Sequence, residues 1–71
     1  PMKQQELKIE GMSCGHCIMA VKQSLAKLPN VVVEDITIGR AIVQYDESVV
    51  RQEDLEQAVQ DAGYSVAKGA H

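Results

Sequence analysis

The sequence predicts an α+β fold, a four-stranded antiparallel sheet with two helices on one face, in the order βαββαβ. Three observations predict it. Gln5 to Ile9 alternates between two faces, and the stretches from Cys17 and from Arg51 repeat apolar residues at helical spacing. Between them a run rich in β-branched residues is divided by Gly39-Arg40. Each helix has one apolar stripe and the strands one apolar face, so the helices should cover a single side of the sheet.

The first strand sets Gln5, Leu7 and Ile9 on one face and Glu6 and Lys8 on the other; Gly11 breaks it and opens a loop. In the first helix Cys17, Val21, Ser24, Leu25 and Leu28 fall on one side, with Ala20 at the margin. Met19, Lys22, Gln23 and Ala26 point away. Pro29 and Asn30 end it. Val31 to Ile38 reads as the second strand and Ala41 to Tyr45 as the third. The loop Gly39-Arg40, with Gly first, suits a type II′ hairpin. That register pairs Ile38 with Ala41 and Ile36 with Val43, all four on the core face. Asp46 to Ser48 is a loop. Arg51 to Ala62 forms the second helix, with Leu55, Ala58, Val59 and Ala62 as its stripe and Gly63 as its carboxyl-terminal cap. Ser65 to Ala67 is a short last strand and Lys68 to His71 a tail. The whole is the ferredoxin-like arrangement, read as one domain over residues 1–71.

At 71 residues the chain has a small core, because a domain of this size buries only about 60% of its unfolded surface. Seven basic against ten acidic residues leave a net charge of -3, which argues against nucleic-acid binding. No run approaches the roughly 20 apolar residues of a membrane span, and the amino terminus lacks an apolar signal segment. The default location is cytoplasmic. Pro1 reads as a cloning remnant and Met2 as the natural start, which favours a complete small gene product.

Both cysteines lie in the stretch EGMSCGHC, Glu10 to Cys17. One such pair cross-links almost no chain, so a stabilising disulfide is the poorer explanation of it. On a loop running into a helix, Cys14 and Cys17 can converge on one point, and the unpaired N–H groups there favour thiolate. Thiolates select soft ions such as Cu(I). Four-coordinate zinc would need two further ligands, for which only His16 and the distant His71 stand ready. By spacing alone, an accidental or simply buried pair is the plain alternative. Met12 offers a thioether, but an apolar tether from the loop to the core explains it better. Ser13 puts no carboxylate beside the thiols. His16 either tunes the thiols, adds a third ligand or is a solvated loop side chain. Met19 is apolar on the polar face of the first helix, a surface residue or a docking contact. Lys22 and Lys27 make that helix basic, whereas Asp46 to Asp61 holds six acids against Arg51 alone. Solvated faces and a docking role explain that asymmetry equally well.

Gly11-Met12-Ser13-Cys14-Gly15-His16-Cys17 after a first strand resembles the GMxCxxC motif of heavy-metal-associated domains, and Ala62-Gly63-Tyr64 resembles the end of the second helix in bacterial members. The similarity runs from Glu6 to Ala67. The resemblance implies Cu(I) held by Cys14 and Cys17 and passed by thiolate exchange to a like domain of a copper-transporting P-type ATPase, carriage and not catalysis. It sets Tyr64 beside the metal loop and places His16 with bacterial copper chaperones. A tight Gly39-Arg40 hairpin departs from relatives with a longer turn. The alternatives are an excised amino-terminal ATPase domain and a Hg(II)-binding relative; among partners, a second copy bridged by copper stands beside the ATPase domain. "CGHC" also occurs in thioredoxin-fold disulfide isomerases. That fold needs about 100 residues, an aromatic residue before the first Cys and a cis-proline loop facing the pair. Here Ser13 precedes Cys14 and the only internal proline is Pro29.

Overall fold

A computed structural model describes residues 2–67. Its elements are β1 (Lys3–Glu10), α1 (Gly15–Ala26), β2 (Val31–Thr37), β3 (Arg40–Tyr45), α2 (Gln52–Asp61) and β4 (Ser65–Val66). The expected order is the order found. The four strands form one antiparallel sheet, β2-β3-β1-β4, with both helices packed on it. The residues expected inside meet there. Leu7 and Ile9 of β1, Val21 and Leu25 of α1, Ala41 and Val43 of β3, and Leu55 and Val59 of α2 are all buried in one cluster. Burying a Leu or Val side chain fully is worth about 1.5–3 kcal/mol. The other face of the sheet is mostly polar, with Arg40 paired to Glu6 and the Gln44 amide donating to Glu34 at 2.9 Å.

The hairpin differs from its expected register. β2 ends at Thr37, which pairs with Arg40, and Ile36 pairs with Ala41, not Val43. The two-residue turn is therefore Ile38-Gly39. Gly39 is second in it, at φ +83°, which excludes the type II′ form with Gly first. Ile38 leaves the core and is 53% exposed. A conflict inside β2 explains the difference. Strict alternation that turns Ile36 and Ile38 inward also turns Glu34 inward and Val31 and Val33 outward. A bulge between Val33 and Asp35 inserts one extra residue, so Val31, Val33 and Ile36 all pack on the core and Glu34 faces water.

The helix ends carry the site. α1 begins at Gly15, two residues before Cys17, and the chain leaves it through Leu28, Pro29 and Asn30, which takes φ +59°. Leu28 lies beyond the helix but still packs against the core. α2 closes in a Schellman motif. Gly63, at φ +97°, donates to the Gln60 carbonyl at 2.9 Å, and Tyr64 donates to the Val59 carbonyl at 3.2 Å. Ala62 is its C-cap rather than its last residue. Immediately after, β4 pairs Ser65 with Glu10 and Val66 with Ile9; Ala67 stands outside it, donating to the Lys8 carbonyl at 2.7 Å. Tyr64 is thus delivered to the end of β1 where the cysteine loop starts. The tail and His71 lie outside the described residues. No described helix is long and apolar enough to cross a membrane.

Candidate metal centre

The loop between β1 and α1 is pinned on two sides. At Gly11 the chain turns with φ +96°, and a Cβ there would lie 3.3 Å from a ring carbon of Tyr64. Glycine serves both the turn and the close approach. Met12 is half-buried against the core, and its sulfur accepts the Gly39 N–H at 3.4 Å. Beyond these anchors, Ser13, Cys14 and the first two helix residues, Gly15 and His16, are exposed.

Cys14 is the N-cap residue of α1, in an extended conformation with no capping bond from its side chain. Its carbonyl accepts the Cys17 N–H at 3.1 Å, the first turn of the helix. Cys17, third in the helix, points inward and is only 7% exposed. The two sulfurs lie 3.5 Å apart, far beyond the roughly 2.05 Å of a disulfide, and both thiols are free. One thiol therefore faces solvent and the other is seated in the fold.

The depressed thiol expected at this helix start is Cys17, lowered from 9.0 to about 6. Main-chain hydrogen bonding from Ser13 is the largest cause, followed by the Tyr64 hydroxyl and then Cys14, while burial works against them. Hydrogen bonds that favour the thiolate outweigh its desolvation. Tyr64 is pushed above its ordinary value, first by that same bond, because its hydroxyl proton is held by Cys17. His16 has no part in the Cys17 shift. With no acidic residue in the first turn of α1, no carboxylate competes for its N–H groups.

A metal–sulfur bond of about 2.3 Å from each cysteine spans up to about 4.6 Å, so a pair at 3.5 Å can close on one ion. Among the described residues no third His, Cys, Asp or Glu completes a cluster with them. The donor set is two soft sulfurs with an open side, which suits Cu(I) or Hg(II) better than four-coordinate zinc. The remaining candidates are more dispersed. Met19 is 59% exposed on α1, and Lys22, one turn on, shares its outer side. Lys27 lies about 15 Å along the helix from Cys17 and lines a groove with Asp54 and Asp61 of α2.

Residues 6–65 match the heavy-metal-associated domain family. The chain belongs to that family. It is 42% identical over 67 residues to the copper chaperone CopZ of Staphylococcus aureus, a match covering 92% of this chain and 98% of that one. Among solved structures, a CopZ metallochaperone superposes with a TM-score of 0.83 at 40% identity, over 92% of this chain and all of its own (100%). A copper-binding domain of the P-type ATPase HMA7 superposes at 0.86 with 26% identity, over 93% and 92% of the two chains.

Two glycines of this heavy-metal-associated domain make contacts that the sequence does not signal. Gly11 opens the GMxCxxC motif and breaks the first strand, but its contact with Tyr64 joins segments far apart in the chain. Gly39 was read only as a turn residue, and its bond to Met12 has no local signature.

Proposed function

We propose that this domain is a copper chaperone. It binds Cu(I) through the thiolates of Cys14 and Cys17 and hands it to a metal-binding domain of a copper-transporting P-type ATPase. The observation that carries the reading is the asymmetric thiol pair, Cys17 seated and depressed to about 6, Cys14 exposed 3.5 Å away. The similarity to copper chaperones and to an ATPase copper-binding domain supports the choice of ion and of partner.

The chemistry follows from that asymmetry. Main-chain N–H groups and the Tyr64 hydroxyl stabilise charge on Cys17, so this sulfur is ready to bind at neutral pH. Cys14, on the exposed N-cap, can be approached by a sulfur of another molecule. Two soft ligands leave Cu(I) under-coordinated, and an incoming thiolate can bind before Cys14 leaves. Transfer is then a series of ligand exchanges in which no covalent bond of a substrate is broken, so the protein is a carrier and not an enzyme. Met19 and Lys22 flank the approach to Cys14, with apolar contact at the centre and charge at the rim. An excised ATPase domain would use the same site, and two copies sharing one Cu(I) would form a bridged homodimer.

The test is anaerobic competition among Cu(I), Zn(II) and Hg(II) with a thiol chelator present. Cu(I) should be retained against Zn(II), with sulfur ligands seen by X-ray absorption. A first shell made mainly of nitrogen or oxygen would refute the proposal, and a preference for Hg(II) over Cu(I) under chelation would favour the mercury-binding reading.

A further inference from the structure

The peptide groups flanking Gly39 grip the segment that carries the thiols at two points. Its N–H donates to the Met12 sulfur at 3.4 Å, and its carbonyl accepts the Ile9 N–H at 3.0 Å. Ile9 is the last core residue of β1 and Met12 is the first residue after the Gly11 turn, so Gly39 spans the point where strand becomes metal loop. The grip requires the register the chain adopts. Only with Ile38-Gly39 as the turn does Gly39 occupy the second position at φ +83°, and Ile38 is left exposed to achieve it. Crowding is not the reason for glycine here, since a Cβ would meet only the Ile9 carbonyl at an ordinary 3.7 Å. The backbone conformation is. On the far side of the loop Tyr64 lies against Gly11 and hydrogen-bonds Cys17, so the loop is held between two clasps from elements distant in sequence.

We propose that Gly39 is a positioning residue for the metal loop, acting through the sulfur of Met12 to hold Cys14 and Cys17 in their observed relation. The role of the cysteines as metal ligands is taken from the function proposed above. On this view the Met12 thioether is a hydrogen-bond acceptor in the scaffold and not a third ligand. A thioether accepts only weakly, so the clasp yields when the loop must open to an incoming sulfur.

Met12→Leu keeps the apolar volume and removes the acceptor. In the metal-free protein the Gly39 amide should then exchange with solvent about two- to threefold faster, the low end of the scale for one lost hydrogen bond, because the acceptor is weak. NMR order parameters of residues 11–16 should fall, while the unfolding midpoint hardly moves. Loaded with Cu(I), the variant should release it to a chelator severalfold faster than the parent. Met12→Gln returns an acceptor at similar length and should restore protection of the Gly39 amide. If Met12→Leu leaves amide exchange and loop order at parental values, Met12 is apolar filler and the proposal is overturned. The ligand reading fails separately, through Cys14→Ser and Cys17→Ser proteins that bind Cu(I) as the parent does. The amide measurement is made without metal and decides the clasp in either case.

Discussion

The two helices of this domain begin in opposite ways. α2 starts at Arg51, whose N–H donates to the Asp54 carboxylate at 2.9 Å, and Glu53 and Asp54 place negative charge in its first turn. An arginine side chain cannot accept a hydrogen bond, so only this half of a capping box forms. α1 starts at Cys14 with no side-chain cap and no acid in its first turn. Both helix starts present unpaired N–H groups and partial positive charge. In α2 the chain's own carboxylates satisfy that potential permanently. In α1 it is left to two thiols, one of which is held largely as thiolate at neutral pH. A helix end closed by a carboxylate contributes to stability, and one left to soft sulfurs is available for binding.

Substitutions at the two helix starts should therefore separate binding from stability. The largest effect is expected for Cys14→Ser and Cys17→Ser, each abolishing high-affinity Cu(I) binding in competition with a chelator. Asp54→Ala should bind Cu(I) like the parent. Equal loss in all three proteins would show that binding reports only on folding.

Next in size is the pH dependence of α1. Cys17 titrates near 6 in the folded protein against 9.0 ordinarily. A lowered pKa means that its contribution to stability is complete above about 9 and is lost as pH falls through about 6. Alkylation of Cys17 followed against pH should give a midpoint near 6 in the parent and in His16→Ala, and a higher one in Tyr64→Phe. A midpoint near 9 in the parent would remove the distinction between the two helix starts.

The two helical segments differ in charge as their starts do, with α1 basic and α2 acidic. Reversing Lys22 and Lys27 to Glu should slow Cu(I) transfer to an ATPase domain severalfold at low salt and leave Cu(I) affinity unchanged. The difference should shrink at physiological salt, where exposed charges are screened beyond about 8 Å. Parental transfer rates at low salt would move the docking face away from α1.

Two smaller effects concern stability alone. Asp54→Ala removes the bond to Arg51 and the favourable charge at the start of α2, which should cost about 1 kcal/mol in denaturant unfolding. Gly15→Ala, at a helical position with nothing within 4 Å of the new Cβ, should stabilise α1 by about 0.5 kcal/mol. A loss at Gly15 would mean that the open start of α1 needs glycine for a reason beyond helix propensity.

The elements and their order were legible because each rests on a local period. Leu7 and Ile9 alternate, Val21 and Leu25 recur at one turn, and Gly63 follows the last apolar residue of α2. The cysteine pair was legible for the same reason, since both thiols belong to one short loop and one helix turn. The hairpin register was not legible, because two local rules meet there. Gly first in a two-residue loop favours type II′, but the β-branched residues on both sides of Glu34 all seek the core. The turn moves back by one residue, which shifts the pairing of Ile36 by two, and the bulge then lets Val31 and Val33 face the core as well.

By itself, then, the sequence determined what depends on neighbours along the chain: six elements, two helix stripes, and a soft ligand pair at a helix start. Tertiary structure alone decided what depends on segments brought together by folding. It turned Cys17 inward and left Cys14 exposed, set the Tyr64 hydroxyl on Cys17, and put Gly39 against Met12, 27 residues away in the chain. The physical reason is one of range. Hydrophobic period and helix-end chemistry act over a few residues, whereas the hydrogen bonds that lower the Cys17 thiol and anchor its loop include partners on other elements, placed only when the core is packed.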